Sequence, residues 1–204
     1  MKVKVCGLTD NENIKEVLSL NVDMIGLNFY PSSPRYLSGP LSIHAPNKPK
    51  AGVFVNENYD NIMATAEKYG LDVIQLHGDE NPEFCKKIAS SIPVIKVFRI
   101  KHYGQVPETR PFNACQYFLF DTDTKSYGGS GQKFDWSIFE NIELDRPFFL
   151  SGGIGPNDAP VIARINHPML YGIDINSRFE VRPGIKDVTS IGTFLAELNK
   201  SGGG

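Results

Sequence analysis

Residues 117–136 read YFLFDTDTKSYGGSGQKFDW. Tyr117 to Phe120 are apolar or aromatic without a break, which predicts a strand buried on both faces. The first polar residue after that run is a carboxylate, Asp121. Gly128, Gly129 and Gly131 follow, in a bend able to fold back over the strand end. Parallel α/β folds place reactive groups in this way, with a buried strand carrying an acid to its C-terminal end and a glycine-rich loop behind it. A lone aspartate ahead of a loop is more commonly a turn or cap residue. The meaning of Asp121 therefore depends on whether the rest of the chain repeats the plan.

It does, on both sides. Upstream, short apolar runs predict strands at Val3–Cys6, Met24–Phe29, Ala51–Val55, Val73–Leu76 and Pro93–Phe98. Downstream, Phe148–Leu150 and Leu170–Ile175 predict two more. Between them lie helical patterns. Asp10 caps a helix with Ile14, Val17 and Leu18 on one face; Asn58 to Tyr69 turns Ile62, Ala66 and Tyr69 inward. Further helices start near Asn81 (inner residues Phe84 and Ile88), at Trp136, and behind Asn157 (with Val161, Ile162 and Ile165). The last carries Ile191, Phe194, Leu195 and Leu198. Two helices are expected to be degenerate. The segment Pro31 to Pro49 holds five prolines, and Lys101 to Cys115 is rich in proline and polar residues.

Eight apolar strands, mostly followed by amphipathic helices, in 204 residues predict a single-domain (β/α)8 TIM barrel over residues 1–200, with SGGG at 201–204 as a flexible tail. A doubly wound sheet would carry G-x-G-x-x-G in its first turn. The first turn here reads CGLTD.

Composition narrows the partners. With 21 Lys and Arg against 23 Asp and Glu, no basic stripe is present to replace phosphate counterions, which argues against nucleic acid. No apolar run is long enough to span a bilayer. Three irregularly spaced cysteines fit a reducing compartment and neither a disulfide framework nor a zinc site. The expected protein is cytoplasmic.

In a barrel, the C-terminal strand ends converge on one rim. That rim is expected to hold Cys6, Asn28, Arg35 on the following loop, Asn56, His77, Asp121, Gly152, Gly153 and Asp174. A cysteine at a buried strand end is most often a small core residue. To act as a base Cys6 needs a thiolate, hence a nearby cation or helix N-terminus that lowers its pKa. Cys85 and Cys115 read as structural. Ser151-Gly152-Gly153-Ile154-Gly155, ahead of the helix expected behind Asn157, offers backbone N–H groups to an anion, and Asn176 to Glu180 would form the other wall.

The segments KVCGLT (4–9), YPSSPRYLS (30–38), GVFVN (52–56), VIQLHGDE (73–80), FDTDTKSYGGSGQKFDW (120–136), LSGGI (150–154) and PGIKD (183–187) together resemble the phosphoribosylanthranilate isomerase family, in order and over nearly the whole chain. The resemblance implies a monomeric or homodimeric barrel without metal or organic cofactor. It implies an aldose–ketose isomerase of tryptophan biosynthesis acting on a phosphorylated small molecule. It places the general base on Cys6, the general acid on Asp121 and the arginine of the anthranilate carboxylate on Arg35. It supports Asp174 as acceptor from the substrate's amine or a ribose hydroxyl. His77 itself reads as an oriented rim residue rather than a proton carrier. Asp123 is the rival acid.

Two departures stand out. Where the family reads serine-glycine-valine-glutamate, this chain has Ser177-Arg178-Phe179-Glu180, so Arg178 sits in the phosphate loop beside Ser177. The segment from Ser32 to Pro49 is also shorter and richer in proline than the family's second helix. Among rivals, indole-glycerol-phosphate synthase would need a rim lysine, and none is expected. Ribulose-phosphate epimerase would need a metal-binding His and Asp set. A non-catalytic sugar-phosphate binder is disfavoured by the intact Cys6 and Asp121.

Overall fold

The strand β1 (Lys2–Val5) pairs in parallel with both β2 (Met24–Asn28) and β8 (Leu170–Ile175), and that double pairing closes the barrel. In the computed structural model, which describes residues 1–41, 48–100, 107–122 and 136–201, the order around the barrel is the order in sequence. The remaining staves are β3 (Lys50–Phe54), β4 (Val73–Leu76), β5 (Val94–Ile100), β6 (Tyr117–Thr122) and β7 (Phe148–Ser151). The expected (β/α)8 barrel is the fold observed.

Two apolar layers hold it together. Met24, Ala51, Val73, Ile95, Val97, Leu119 and Phe149 fill the inside of the barrel. Alternate residues, such as Val3, Val5, Ile74, Phe118 and Phe120, face the outer shell. This is why the strands read as continuous apolar runs: both faces are out of water. Outside lie α1 (Asn11–Ser19), α2 (Tyr59–Tyr69), α3 (Pro82–Ala89), the short α4 (Ala159–Ile162) and α5 (Val188–Ser201). The first three are capped by Asp10, Asn58 and Asn81, whose side chains accept from the backbone N–H three residues on. α5 buries the four expected residues, Ile191, Phe194, Leu195 and Leu198.

Several expectations change. On α3 the inner stripe is Cys85 and Ile88, and Phe84 is only partly covered. Asn157 does not cap α4. Asp158 precedes that helix, and its carboxylate accepts instead from the Gly155 N–H at 2.8 Å. Val161 on α4 is 53% exposed. The segment after β2 shows no helix among its described residues, 29–41 and 48–49, and the segment after β5 shows one 3₁₀ turn, Arg110–Phe112, among its described residues, 107–116. Trp136–Asn141 is likewise 3₁₀. α5 runs through Ser201, one residue beyond the expected boundary, and residues 202–204 lie outside the described ones. No described helix is long and apolar enough to cross a membrane.

Candidate active site

Cys6 lies one residue beyond β1, its N–H donating to the Ile175 carbonyl of β8 at 3.0 Å. The side chain points inward on the same face as Lys4, because strand residues two apart share a face. Lys4 is fully buried, and its Nζ donates to Asp174 Oδ1 at 3.0 Å. The two are also register partners across β1 and β8. The Lys4 ammonium and the Cys6 sulfur are neighbours above Gly26, close enough to interact electrostatically.

The electrostatics of this trio differ from the expectation. Burial pushes the Cys6 thiol above its ordinary value; Lys4 and Lys186 pull it down without overcoming burial, and Asp174 adds to the rise. At rest Cys6 is therefore a neutral thiol and not a preformed thiolate. Burial also pushes the Asp174 carboxyl up, against the pull of Lys4. Burial works against the charge on Lys4, but Asp174 and Cys6 outweigh it and keep the ammonium protonated above its ordinary range.

Asp121 is not the first residue after its strand. It belongs to β6, in register with Arg99 of β5 and Ser151 of β7. Its Oδ2 lies 3.2 Å from His77 Nε2, and its side chain is 31% exposed. Its surroundings are thus polar. Gln75 Nε2 lies 3.4 Å from His77 Nδ1, and Arg99 donates to the His77 carbonyl at 2.7 Å. With the Gln75 amide donating to Nδ1, the imidazole proton sits on Nε2 and points at Asp121. Asp123 and the loop with Gly128, Gly129 and Gly131 lie outside the described residues.

Arg35 is committed to a carboxylate of the chain itself. Its Nε donates to Glu180 Oε1 at 2.8 Å and its Nη2 to Oε2 at 2.6 Å. Lys186, fully buried, also donates to Glu180 Oε1 at 2.7 Å and to Asn176 Oδ1 at 2.7 Å. Burial would raise the Glu180 carboxyl, but Arg35 and Lys186 prevail and hold it below its ordinary value. The antiparallel pair β9 (Glu180–Arg182) and β10 (Ile185–Lys186) carries this cluster beside the end of β8.

Gly152 and Gly153 leave β7 at φ 88° and 65°, left-handed values that bare backbone accepts readily. Ser177–Phe179 forms a 3₁₀ turn after β8. The Arg178 side chain is exposed, with its stem over Gly155 (a Cβ there would meet Arg178 Cδ at 3.3 Å), so it reaches across from the β8 turn to the β7 loop. Gly155 itself is no anion donor, since Asp158 takes its N–H.

Lysines were missed by sequence reasoning. Lys4, Lys96 and Lys186 are all buried, paired with Asp174, Glu80 and Glu180. No lysine was expected at the strand ends themselves; Lys4 lies within β1, two residues before Cys6 and on its face. A signal was present: in KVKVC the period of two puts Lys4 on the face of Cys6.

The model of the N-(5'phosphoribosyl)anthranilate (PRA) isomerase family matches residues 3–197. The chain belongs to the PRA isomerase family. A PRA isomerase of Phocaeicola vulgatus is 40% identical over 202 residues, covering 98% of each chain. The crystal structure of PRA isomerase from Thermotoga maritima superposes with a TM-score of 0.81 at 34% identity, covering 98% of this chain and 99% of that one. A PRA isomerase structure in complex with reduced 1-(o-carboxyphenylamino)-1-deoxyribulose 5-phosphate matches with a TM-score of 0.77 at 30% identity, covering 98% of this chain and 99% of the other.

Proposed function

We propose that Cys6 and Asp121 divide the acid–base work of a PRA isomerase reaction, the Amadori rearrangement of N-(5'-phosphoribosyl)anthranilate to 1-(2-carboxyphenylamino)-1-deoxyribulose 5-phosphate. The observation that carries this reading is the placement of an inward thiol at the end of β1 and a histidine-linked carboxylate at the end of β6, on one rim of the barrel. Asp121 gives a proton to the furanose ring oxygen. The C1–O bond breaks, and the nitrogen lone pair forms the iminium. That cation acidifies the C2 proton, which Cys6 accepts in its ionised form, after giving its own proton to solvent; the C–H electrons become the C1–C2 double bond of an enolamine. Protonation at C1 and loss of the C2 hydroxyl proton then give the ketone.

The substrate's phosphate is assigned to Gly152, Gly153 and Ser177, with the Arg178 guanidinium as an added cation. Arg35 faces the anthranilate carboxylate while Glu180 fixes its plane, and Asp174 remains a candidate acceptor from the substrate's amine only if it exchanges part of its bond to Lys4. The direct test is to incubate purified protein with N-(5'-phosphoribosyl)anthranilate and follow the loss of anthranilate fluorescence. Fluorescence that stays constant at high enzyme concentration would sink the reading in favour of a sugar-phosphate binder.

A further inference from the structure

Cys6 is not alone in its pocket. Gly26, on β2, borders it with no side chain of its own. A Cβ built there would lie 2.6 Å from Cys6 Sγ and 2.9 Å from Lys4 Nζ. The thiol and the ammonium thus fill the volume that any larger residue would need, side by side above β2. From the far side Asp174 holds the same ammonium at 3.0 Å.

We propose that Lys4 is a positioning residue whose buried ammonium, wedged between Asp174 and Cys6 over Gly26, holds the Cys6 sulfur in place and carries its negative charge when it ionises. The proposal rests on the reading of Cys6 as base. A thiol out of water makes a poor base, because its anion has no solvent. A lysine that stays charged supplies the missing counter-ion without an open water channel, and Asp174 keeps that lysine in line. The other charged groups facing the sulfur are Asp174 on β8 and Lys186 on β10, with Arg35 beyond Lys186. Lys186 is engaged by Glu180 and Asn176, so its charge is largely spent there. Among the described residues Lys4 is bonded to Asp174 alone, with no second polar partner of the kind Asn176 gives Lys186.

The chemistry is a charge pairing between two adjacent side chains. The ionised fraction of Cys6 has given its proton to solvent; when it accepts the C2 proton it becomes the neutral thiol, which releases a proton to solvent before the next turnover, while Lys4 keeps its bond to Asp174. No proton need leave Lys4 in the cycle. That separates the role from general-base catalysis by the lysine itself.

The test reads the Cys6 thiolate directly, by ultraviolet titration of each variant against the same variant carrying Cys6→Ser. Lys4→Met leaves Asp174 as a bare buried anion, so the double variant Lys4→Met/Asp174→Asn is made beside it; neutral replacement of a whole buried pair is usually tolerated. In Lys4→Met the Cys6 titration should move upward by about one pH unit or more, the shift expected on losing an opposite charge in contact. In the double variant it should move the same way by less, because the repelling carboxylate is gone too. Cys6 titrating at the wild-type pH in the double variant overturns the proposal, as does a smaller shift in the single variant than in the double. The base reading fails separately: if Cys6→Ser keeps full activity while the titrations shift as stated, Lys4 still governs the thiol and the base lies elsewhere.

Discussion

Arg35 and Glu180, 145 residues apart, form a forked ion pair, Nε to Oε1 at 2.8 Å and Nη2 to Oε2 at 2.6 Å. It ties the loop after β2 to the hairpin after β8 across the top of β1, where Cys6 sits. The same arginine is the one assigned to the substrate's aromatic carboxylate, so its plane is set before substrate arrives. Prealigned donors lose less freedom on binding than mobile ones.

Glu180→Gln should therefore loosen Arg35 and act mainly on binding. KM for N-(5'-phosphoribosyl)anthranilate is expected to rise by about tenfold, the worth of one charged hydrogen bond, with kcat within a few-fold. Steady-state kinetics by fluorescence decides it. A fall in kcat with KM unchanged would place Arg35 away from the substrate.

The same carboxylate contributes to stability with a definite sign. Its folded pKa is held below the ordinary value by Arg35 and Lys186, against burial. Its contribution is thus fully present above the unfolded carboxylate pKa of about 4.3 and is lost as pH falls through the lower folded value. Glu180→Gln should lower the thermal midpoint at pH 7, by a loss on the order of 3 kcal/mol for a buried pair. It should also flatten the midpoint's fall below about pH 4.3. Melting curves that keep the wild-type acid slope would show that Glu180 does not carry it.

Cys6→Ser should leave fold and product-analogue affinity intact while kcat drops by about 100- to 10,000-fold, the usual worth of a general base. Wild-type kcat/KM should keep rising with pH past the ordinary thiol range near about 8.5, because burial holds the Cys6 pKa up and only the ionised form accepts the proton. A plateau reached by about pH 7 would mean a different base.

Asp121→Asn removes the proton donor but keeps a side chain that can bond His77. A loss confined to kcat, with affinity within a few-fold, is the signature of an interaction made in the transition state. His77→Asn should cost less, about tenfold or so, since it only orients the carboxylate. Loss of rate in the histidine variant exceeding that in Asp121→Asn would transfer the acid's role to the imidazole.

The local plan was legible in the chain itself. Eight strands buried on both faces leave eight apolar runs, and caps such as Asp10, Asn58 and Asn81 mark helix starts because their side chains bond the N–H three residues on. Cys6, His77 and Asp121 were found for the same reason: each is a polar or reactive residue just where an apolar run ends. Motif order then identified the family. The α4 cap was misassigned to Asn157 because two adjacent residues, Asn157 and Asp158, can both cap, and only the turn geometry chooses.

The charge pairing was not legible, and tertiary structure alone decided it. The period of two in KVKVC puts Lys4 on the face of Cys6 but names no partner for it; β1 closes against β8 and brings Asp174, 170 residues away, to 3.0 Å. Lys96 and Lys186 follow the same rule with Glu80 and Glu180. Burial of a lysine is tolerated only beside a partner, and which carboxylate lies within reach is a property of barrel closure and strand register rather than of local sequence. The same closure set the Cys6 thiol above its ordinary range, since desolvation depends on what covers the strand end and not on the residues beside it in the chain.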